Sequence, residues 1–548
     1  MRPARRGFKA THLSRLFLLA ALLVTLSCDT PSPHIQSIYP QTGDLGSDIS
    51  IIGEGFGDER GLNAVSIAGI EPTDSSYRVW SDTLIRVQVP HFGDSGLVYV
   101  RIGKKQSNPA LFTNKLSIPV PVEQDLDEEL PIISSLSPAK AAPGKLVVIK
   151  GKNFGTTRGK GAVLFTWAAE EAGRSQPSTE ARTSVEAIAR EFAYELWSDR
   201  EIRVRVPESA KTGPLIVRTQ TGAESSSRWF DTESTVGTRV YRDHRTYAIS
   251  YSVNYQVQRA DSPNRLYLWM PSPREGNNQS NSRILSRTDE PFIETDLGYA
   301  LYQFDNLSPS DRKTIRVQRT IDVWAVETGI QARFIKKSTQ SPLHASFVLP
   351  GTNIPSDEEE LVALAQEITA KDRNDYAKAR SIYEWLLTNI FIADESSKTS
   401  VQEDIQSRQS DPCNAALIFC TLARAVDIPA IPVAGFLISR NRQSRPHWWA
   451  EFWLEDFGWV PVDPTLGAGS IPPTFVFKDN AREYYFGNID SQRIAFSRGM
   501  INLSQMDPRG RTSSRPKTYA FQNIWEEAVG DIHSYSTLWS ELSVTGIY

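Results

Sequence analysis

The stretch HWWAEFWLEDFGWVPVDPT (447–465) holds four of the chain's 13 Trp and one of its seven His. Its aromatic and apolar runs predict two strands joined by the turn EDFG. Side chains alternate along a strand, so His447 and Trp449 share one face. A three-residue loop ending at Gly458 would pair odd positions with odd positions and place Asp463 on that face, whereas an even-length loop would not. The stretch therefore predicts a hairpin that presents an imidazole and a carboxylate together.

A second stretch, SDPCNAALIFCTLARAVDIPA (410–430), predicts a helix that carries a thiol near its start. Asp411 is a good N-cap, Pro412 suits the first helical position, and the helix should stop before D-I-P. Cys413 then lies in the first turn, where free backbone N–H groups and the helix dipole stabilise a thiolate. Cys420 lies about 10 Å further along the axis, where a small buried hydrophobic residue is expected. That separation exceeds disulfide geometry, so both thiols are predicted to be free.

A thiol, an imidazole and a carboxylate in these contexts meet the requirements of a Cys-His-Asp triad. The base keeps the thiol ionised and protonates the leaving amine, while the carboxylate fixes the tautomer of the base. Three patterns resemble the transglutaminase-like superfamily: C-x-x-A-x-x-F-x-x-L-x-R-x-x-x-I-P from Cys413, H-x-W-x-E from His447, and G-W-x-x-x-D-P-T from Gly458. The resemblance covers residues 355–500. It implies Cys413 as nucleophile, His447 as general base and acid, and Asp463 as the orienting carboxylate.

The resemblance also implies a reaction: attack on a carboxamide or peptide bond of a protein or peptide substrate, through a thioester. Water would complete hydrolysis, as in a cysteine protease or amidase, and a second amine would complete acyl transfer; both outcomes stay open. Two departures stand out, because Ser410-Asp411-Pro412 replaces a Gly that is common before the nucleophile and Phe391 replaces a frequent Tyr. The backbone N–H of Cys413 is a candidate oxyanion donor, and Pro412 has none to offer.

The other prominent side chains of the hairpin are expected to be structural. Trp448 and Trp449 should pack within it, although both are also candidates for lining a substrate groove. Glu451 is expected to pair with a cation such as Arg424. A zinc site is disfavoured because neither C-x-x-C nor H-E-x-x-H occurs, so no metal is predicted. No phosphate-binding Gly loop is evident, and no organic cofactor is predicted.

An internal repeat lies upstream of this region. Residues 35–57 recur at 133–155 with an offset of 98, and residues 80–90 recur at 197–207 with an offset of 117. Short alternating strands broken by Gly and Pro predict two small β-sandwiches, and the S-x-x-P…G…G-x-F-G pattern resembles the IPT/TIG family of immunoglobulin-like domains.

The predicted domains are 33–119 and 131–232, joined by a linker at 120–131. The second copy carries 19 extra residues, and STEARTSVEAIAREFAYEL (178–196) within that interval is predicted to be helical. Such domains usually act as spacers or bind a partner, here a protein or a glycan.

The rest of the chain completes a multidomain fold. Alternating segments predict a further β-sandwich over 236–350, which resembles the one preceding many bacterial transglutaminase-like cores. Residues 501–548 are predicted to be an ordered C-terminal extension without a motif. The fold class is thus tandem all-β immunoglobulin-like sandwiches followed by an α+β, papain-like or transglutaminase-like core at 355–500.

The N-terminal 28 residues are predicted to be a targeting segment. Basic residues precede the apolar run LFLLAALLVTL (16–26), which is too short to span a bilayer comfortably and suits a secretory signal. It ends in T-L-S-C at Cys28, which resembles a bacterial lipobox and predicts lipidation of Cys28; cleavage of a plain secretory signal is the alternative. The protein is therefore expected to be exported and membrane-anchored, on the periplasmic or cell-surface side. Asp29 would favour the inner membrane under enteric-type sorting.

Composition sets one function class aside. With 60 basic and 64 acidic residues, the chain has a formal charge of −4 and no broad basic field for nucleic acid. Two alternatives to an enzyme remain: a binding protein that keeps the transglutaminase-like fold without turnover, and a surface adhesin built on the immunoglobulin-like domains.

Overall fold

The computed structural model describes residues 32–44, 46–90, 96–114, 130–167, 184–187, 193–274, 276, 278–294, 298–338, 341–351, 353–393, 398–470, 474–475 and 478–548. Two compact units emerge, residues 1–125 with 506–508 and residues 126–505 with 509–548. The predicted signal segment, its lipidation site Cys28 and most of the linker at 120–131 lie outside the described residues. Within the described part of the chain, no helix has the length and hydropathy needed to cross a membrane.

The first repeat copy is a sandwich of two sheets. Its strands are β1 His34–Tyr39, β2 Thr42–Gly43, β3 Asp48–Glu54, β4 Ala64–Ile67, β5 Tyr77–Trp80, β6 Leu84–Gln88, β7 Gly96–Ile102, β8 Lys105–Gln106 and β9 Ala110–Asn114. One sheet has the order β1-β3-β6-β5 and the other β2-β9-β7-β4, with β8 on β7. Phe56 is fully buried in the core between them, and its carbonyl accepts a hydrogen bond from Trp80 Nε1 at 3.0 Å.

The second copy repeats this plan in detail. Its strands are β10 Ile132–Ser137, β11 Lys140–Ala141, β12 Leu146–Lys152, β13 Ala162–Thr166, β14 Ser184–Glu186, β15 Tyr194–Trp197, β16 Glu201–Arg205, β17 Gly213–Arg218 and β18 Arg228–Thr232. The sheets are β10-β12-β16-β15 and β11-β18-β17-β13-β14. Trp197 Nε1 donates to the carbonyl of Phe154 at 3.1 Å, as its counterpart does in the first copy. The two predicted sandwiches are confirmed.

The helix predicted over 178–196 is wrong for the residues described there. Ser184–Glu186 is a strand that pairs with β13, and Tyr194–Trp197 is an edge strand that pairs with β16. Val185 and Ala187 are buried in the sandwich core, so tertiary packing overrides the local helical propensity of this segment.

The third β region is an eight-stranded hydrogen-bonded sheet. Its strands are β19 Gly237–Pro271, β20 Gln279–Arg287, β21 Ile293–Glu294, β22 Tyr299–Asp305, β23 Arg312–Ile330, β30 Arg511–Ser513, β31 Glu526–Trp539 and β32 Ser543–Ile547. The first part of β19 pairs with β23, and its last part pairs with β22. Both β31 and β32 also pair with β19. The residues predicted as a C-terminal extension therefore complete this sheet.

The core consists of helices packed on a four-stranded sheet. The helices are α1 Pro342–Phe347, α2 Glu359–Thr369, α3 Asp375–Asn389, α4 Val401–Ser407, α5 Pro412–Ala425, α6 Pro464–Gly467 and α7 Ala481–Tyr484. The sheet has the order β28-β27-β26-β29, formed by β26 Ala430–Ile438, β27 Ser444–Leu454, β28 Gly458–Val462 and β29 Arg493–Arg498. A small parallel pair is formed by β24 Phe391–Ile392 and β25 Gln409–Ser410. Helix α5 packs against α2, α3, β26 and β27, which places its start beside the predicted hairpin.

Candidate active site

Cys413 lies in the first turn of α5, as the sequence predicts. Asp411 is the N-cap, and its Oδ1 accepts a hydrogen bond from the backbone N–H of Asn414 at 2.8 Å. Pro412 occupies the first helical position, where its missing N–H costs nothing. Cys413 and Cys420 are both free and buried, which confirms the predicted absence of a disulfide between them.

The state of the Cys413 thiol differs from the expectation for an exposed helix N-terminus. Only 2% of Cys413 is exposed, and burial raises the pKa of the thiol well above its usual range. The carboxylate of Asp411 raises it further, and the ammonium of Lys517 offsets part of this rise. Desolvation therefore outweighs the helix dipole and keeps the resting thiol neutral. A base must take its proton before or during reaction.

The segment before Cys413, where the family commonly has Gly, is held by a buried polar network. Ser410 Oγ donates to Asp404 Oδ2 at 2.7 Å, and Asn414 Nδ2 donates to the same oxygen at 2.8 Å. The side chains of all three residues are buried. These hydrogen bonds thus hold in place the chain segment that leads into Cys413, where Gly would leave the backbone freer to move.

The hairpin has the register that the sequence predicts. A three-residue loop, 455–457, joins β27 to β28, and Leu454 pairs with Gly458. Gly458 has a φ of +98°, a backbone conformation that residues other than Gly rarely adopt. Odd positions therefore pair with odd positions, and His447 Nε2 lies 2.7 Å from Oδ2 of Asp463. The predicted pairing of imidazole and carboxylate is confirmed as geometry.

Asp463 is fixed by three groups. It is the N-cap of α6, where its Oδ1 accepts the backbone N–H of Leu466 at 3.0 Å. Its Oδ2 accepts from His447 and, at 2.8 Å, from Nη1 of Arg493. Burial alone would raise the pKa of Asp463, but the charge of His447, its hydrogen bond and the charge of Arg493 together lower it to about 2. The carboxylate is therefore ionised at neutral pH.

His447 has one ring nitrogen left for the thiol. Nε2 is occupied by Asp463, and β27, which carries His447, packs against α5, which carries Cys413. In the described part of the chain, no hydrogen bond joins Cys413 Sγ to His447, and Nδ1 is the ring nitrogen without a hydrogen-bond partner. The carboxylate thus fixes the imidazole with Nδ1 available as a base.

Sequence reasoning missed four residues around this site. Arg493, Asp490 and Tyr485 surround Asp463, and Lys517 Nζ lies 2.5 Å from Oδ2 of Asp411. They come from segments after the recognised motifs. The one signal in the sequence was the spacing of Asp490 and Arg493, because an acid and a base three residues apart near the start of a strand can pair with each other.

The structure places the aromatic residues of the hairpin in the interior. Trp449 is 3% exposed, with its ring stacked on that of His447, and Trp448 is 7% exposed, with Nε1 donating to the carbonyl of Thr518 at 3.0 Å. Packing is the role that the structure gives both.

Glu451 pairs with Arg498 at 2.6 Å, so the expected partner Arg424 is wrong. The guanidinium of Arg424 instead donates to the carbonyl of Ala430, at the start of β26, and to that of Leu349, which follows α1. Across the residues described, no three His, Cys, Asp or Glu side chains converge as a metal ligand set.

Comparison with known families agrees with the domain order. The profile of the transglutaminase-like superfamily matches residues 362–464, and that of the IPT/TIG domain matches residues 33–115 and 131–228. The chain therefore contains two IPT/TIG domains followed by a transglutaminase-like domain, and the predicted fold class is confirmed. A search of curated proteins gives no match.

Solved structures give remote similarities. A Cytophaga hutchinsonii protein provisionally assigned as a cysteine protease is 14% identical, over 57% of this chain and 92% of its own, with a TM-score of 0.37. A Parabacteroides distasonis protein provisionally assigned as a protease is 10% identical, over 60% and 65%, with a TM-score of 0.19. SGBP-B from a xyloglucan utilization locus of Bacteroides uniformis is 12% identical, over 54% and 99%, with a TM-score of 0.13.

Proposed function

We propose that this protein is a thiol enzyme that cleaves or transfers acyl groups from carboxamides or peptide bonds. Cys413 is the nucleophile, His447 the general base and acid, and Asp463 the carboxylate that orients the imidazole. The observation that carries the proposal is the 2.7 Å contact between His447 Nε2 and an ionised, buried Asp463, on a strand packed against the helix of Cys413.

The first half-reaction forms a thioester. His447 Nδ1 accepts the proton of the Cys413 thiol as Sγ attacks the carbonyl carbon, and Asp463 stabilises the imidazolium that results. The tetrahedral intermediate collapses when the imidazolium gives its proton to the leaving nitrogen. The C–N bond breaks, an amine or ammonia leaves, and the acyl group remains on Sγ. The neutral buried thiol makes the base indispensable in this scheme.

The second half-reaction releases the acyl group. His447 removes a proton from water or from a second amine, which attacks the thioester carbonyl and expels the thiolate. The imidazolium then returns its proton to the thiolate, which restores the neutral thiol and the neutral base. Water gives a carboxylic acid, and an amine gives a new amide. The proposal covers both outcomes.

An acyl-trapping assay tests the proposal. The protein is incubated with peptides that offer Gln side-chain amides or main-chain amides, with hydroxylamine as the nucleophile, and hydroxamate and ammonia are measured. We expect hydroxamate from the Cys420→Ser protein and none from Cys413→Ala. A different result would identify a non-catalytic binding protein. Both proteins would bind the peptide, neither would form hydroxamate, and the intact mass of neither would show an acyl adduct.

We propose that the enzyme is exported and held at a bacterial membrane by lipid on Cys28. The support is the basic segment, the short apolar run and the T-L-S-C sequence at residues 25–28. The mass of the mature N-terminal peptide tests this: a diacylglyceryl-modified Cys28 supports the anchor, and an unmodified N-terminus elsewhere contradicts it.

A further inference from the structure

Arg493 lies between two buried carboxylates at the back of the proposed triad. Its Nη1 donates to Oδ2 of Asp463 at 2.8 Å, and its Nη2 donates to Oδ2 of Asp490 at 2.6 Å. The exposed fractions of the three side chains are 1%, 1% and 3% for Arg493, Asp463 and Asp490. Charges this deeply buried interact strongly because water screens them little.

We propose that Asp490 and Arg493 form a buried ion pair that sets how strongly Asp463 holds a protonated His447, which makes both of them positioning residues. This inference rests on the proposed function. His447 and Arg493 share one oxygen of Asp463. Alone, the guanidinium would neutralise that carboxylate and repel an imidazolium. Asp490 cancels the guanidinium charge, so Asp463 keeps its full attraction for the protonated base.

Asp490 is held in place for this task. Its Oδ1 accepts the backbone N–H of Gln492 at 2.8 Å, and its Oδ2 accepts the hydroxyl of Tyr485 at 3.1 Å. The carbonyl of Tyr485 in turn accepts the backbone N–H of Asp463 at 2.9 Å. Tyr485 therefore links Asp490 to Asp463 through its hydroxyl and its backbone carbonyl. Burial would raise the pKa of Asp490, but the charge of Arg493 and its hydrogen bond lower it.

An aromatic ring closes the cluster on the side of the imidazole. The Trp449 ring lies 5.1 Å from the guanidinium carbon of Arg493 and stacks on the His447 ring at 6.2 Å between centroids. The buried Trp449 ring thus packs against both the base and the guanidinium of the ion pair. The other titratable side chains that face the cluster within the described residues include Tyr247, Tyr383, Tyr484, Tyr485 and Asp243.

Of these neighbours, the tyrosines are uncharged at neutral pH. Burial is the main cause that raises the pKa of Tyr247 to about 12, and it also raises the pKa values of Tyr383, Tyr484 and Tyr485. Asp243 is paired with Arg245 at 3.0 Å. Arg493 and Asp490 are therefore the fixed charges that act most directly on the Asp463–His447 pair.

The test is the pH dependence of Cys413 alkylation by iodoacetamide, in a Cys420→Ser background, followed by peptide mass spectrometry. The high-pH plateau reports access to the thiol, and the midpoint reports its ionisation. We expect Asp490→Asn to raise the midpoint by about one pH unit, with about a tenfold lower rate at pH 7, because an uncompensated Arg493 disfavours the imidazolium. Glu451→Gln is the matched control, since it neutralises the partly buried partner of Arg498 on the same sheet and should leave the midpoint unchanged.

A double variant separates charge from loosened structure. Asp490→Asn with Arg493→Gln removes both charges, so the midpoint should return most of the way to the wild-type value. A purely structural role predicts that the double variant is worse than the single one, and that result would overturn the inference. An unchanged midpoint in Asp490→Asn would overturn it too.

His447→Ala, run alongside, tells the two proposals apart. A midpoint that does not move in His447→Ala sinks the proposed function itself. A midpoint that moves in His447→Ala and not in Asp490→Asn sinks the further inference alone. Circular dichroism and thermal unfolding verify that each variant is folded.

Discussion

A histidine–aspartate pair contributed by neighbouring segments lies near each end of helix α5, and the two pairs differ. At the N-terminal end, His447 lies 2.7 Å from Asp463, whose side chain is 1% exposed. Just beyond the C-terminal end, His344 lies 3.3 Å from Asp427, whose side chain is 45% exposed. Both imidazoles are buried. The difference is therefore in the carboxylate: one is fixed and dry, and the other is open to solvent.

The surroundings of the two pairs explain what this difference means for chemistry. Asp463 is anchored by a helix N-terminus and by Arg493, whereas Asp427 follows the end of α5 with a φ of +67° and faces the exposed Lys337. Cys413 lies at the start of α5, in its first turn, and Cys420 lies two turns further along; both are buried in the same apolar core. A histidine–aspartate pair alone thus does not define the proposed triad, which also requires a rigid carboxylate and a thiol.

The largest effect should separate the two carboxylates. Asp463→Asn removes the charge that fixes the tautomer of the base, so acyl-enzyme formation should slow by about 10²- to 10⁴-fold. Asp427→Asn, the matched change at the other end of the helix, should leave the rate within about twofold, since exposed pairs contribute little. Single-turnover hydroxamate formation measures both. Equal losses in the two variants would end the distinction between the pairs.

A smaller effect should come from the cation next to the cap of α5. In the wild-type protein the ammonium of Lys517 lies against Asp411 and lowers the pKa of Cys413. Lys517→Met removes this charge, so the thiol should ionise less readily. We expect alkylation of Cys413 at pH 7 to slow by about two- to threefold. Lys336→Met is the control, because Lys336 pairs with Asp456 at the hairpin turn. A faster reaction in Lys517→Met would show that Lys517 blocks access to the thiol instead.

Local rules were enough to predict the pairing of His447 with Asp463 and the position of Cys413 in the first turn of its helix. The N-cap Asp411 with Pro412 fixed where the helix begins, and the three-residue turn ending at Gly458 fixed which hairpin residues share a face. The IPT/TIG repeat could be identified because the same residues recur at matching positions in both copies. Phe56 and Phe154 are buried, and the carbonyl of each accepts a hydrogen bond from a Trp, Trp80 or Trp197. These features depend on residues close in the chain.

Features that depend on contacts between residues distant in the chain could not be predicted from the sequence. Arg493 begins β29 and reaches Asp463 just after β28, although these two strands are the opposite edges of the sheet. Lys517 reaches Asp411 from a segment about a hundred residues later. The segment at 178–196 has a helical composition, yet its described residues extend sheets whose pairing no local pattern reveals. The burial of Cys413 belongs to the same class, since it depends on how α5 packs against other elements.

The measurement that bears most directly on the central claim is the pH profile of Cys413 alkylation with and without His447. His344→Ala serves as the matched control for losing a buried imidazole. If His447 takes the proton of Cys413, His447→Ala raises the midpoint toward the high value that burial imposes on the thiol, while His344→Ala leaves the midpoint where it is. A midpoint that is the same in all three proteins would contradict the triad.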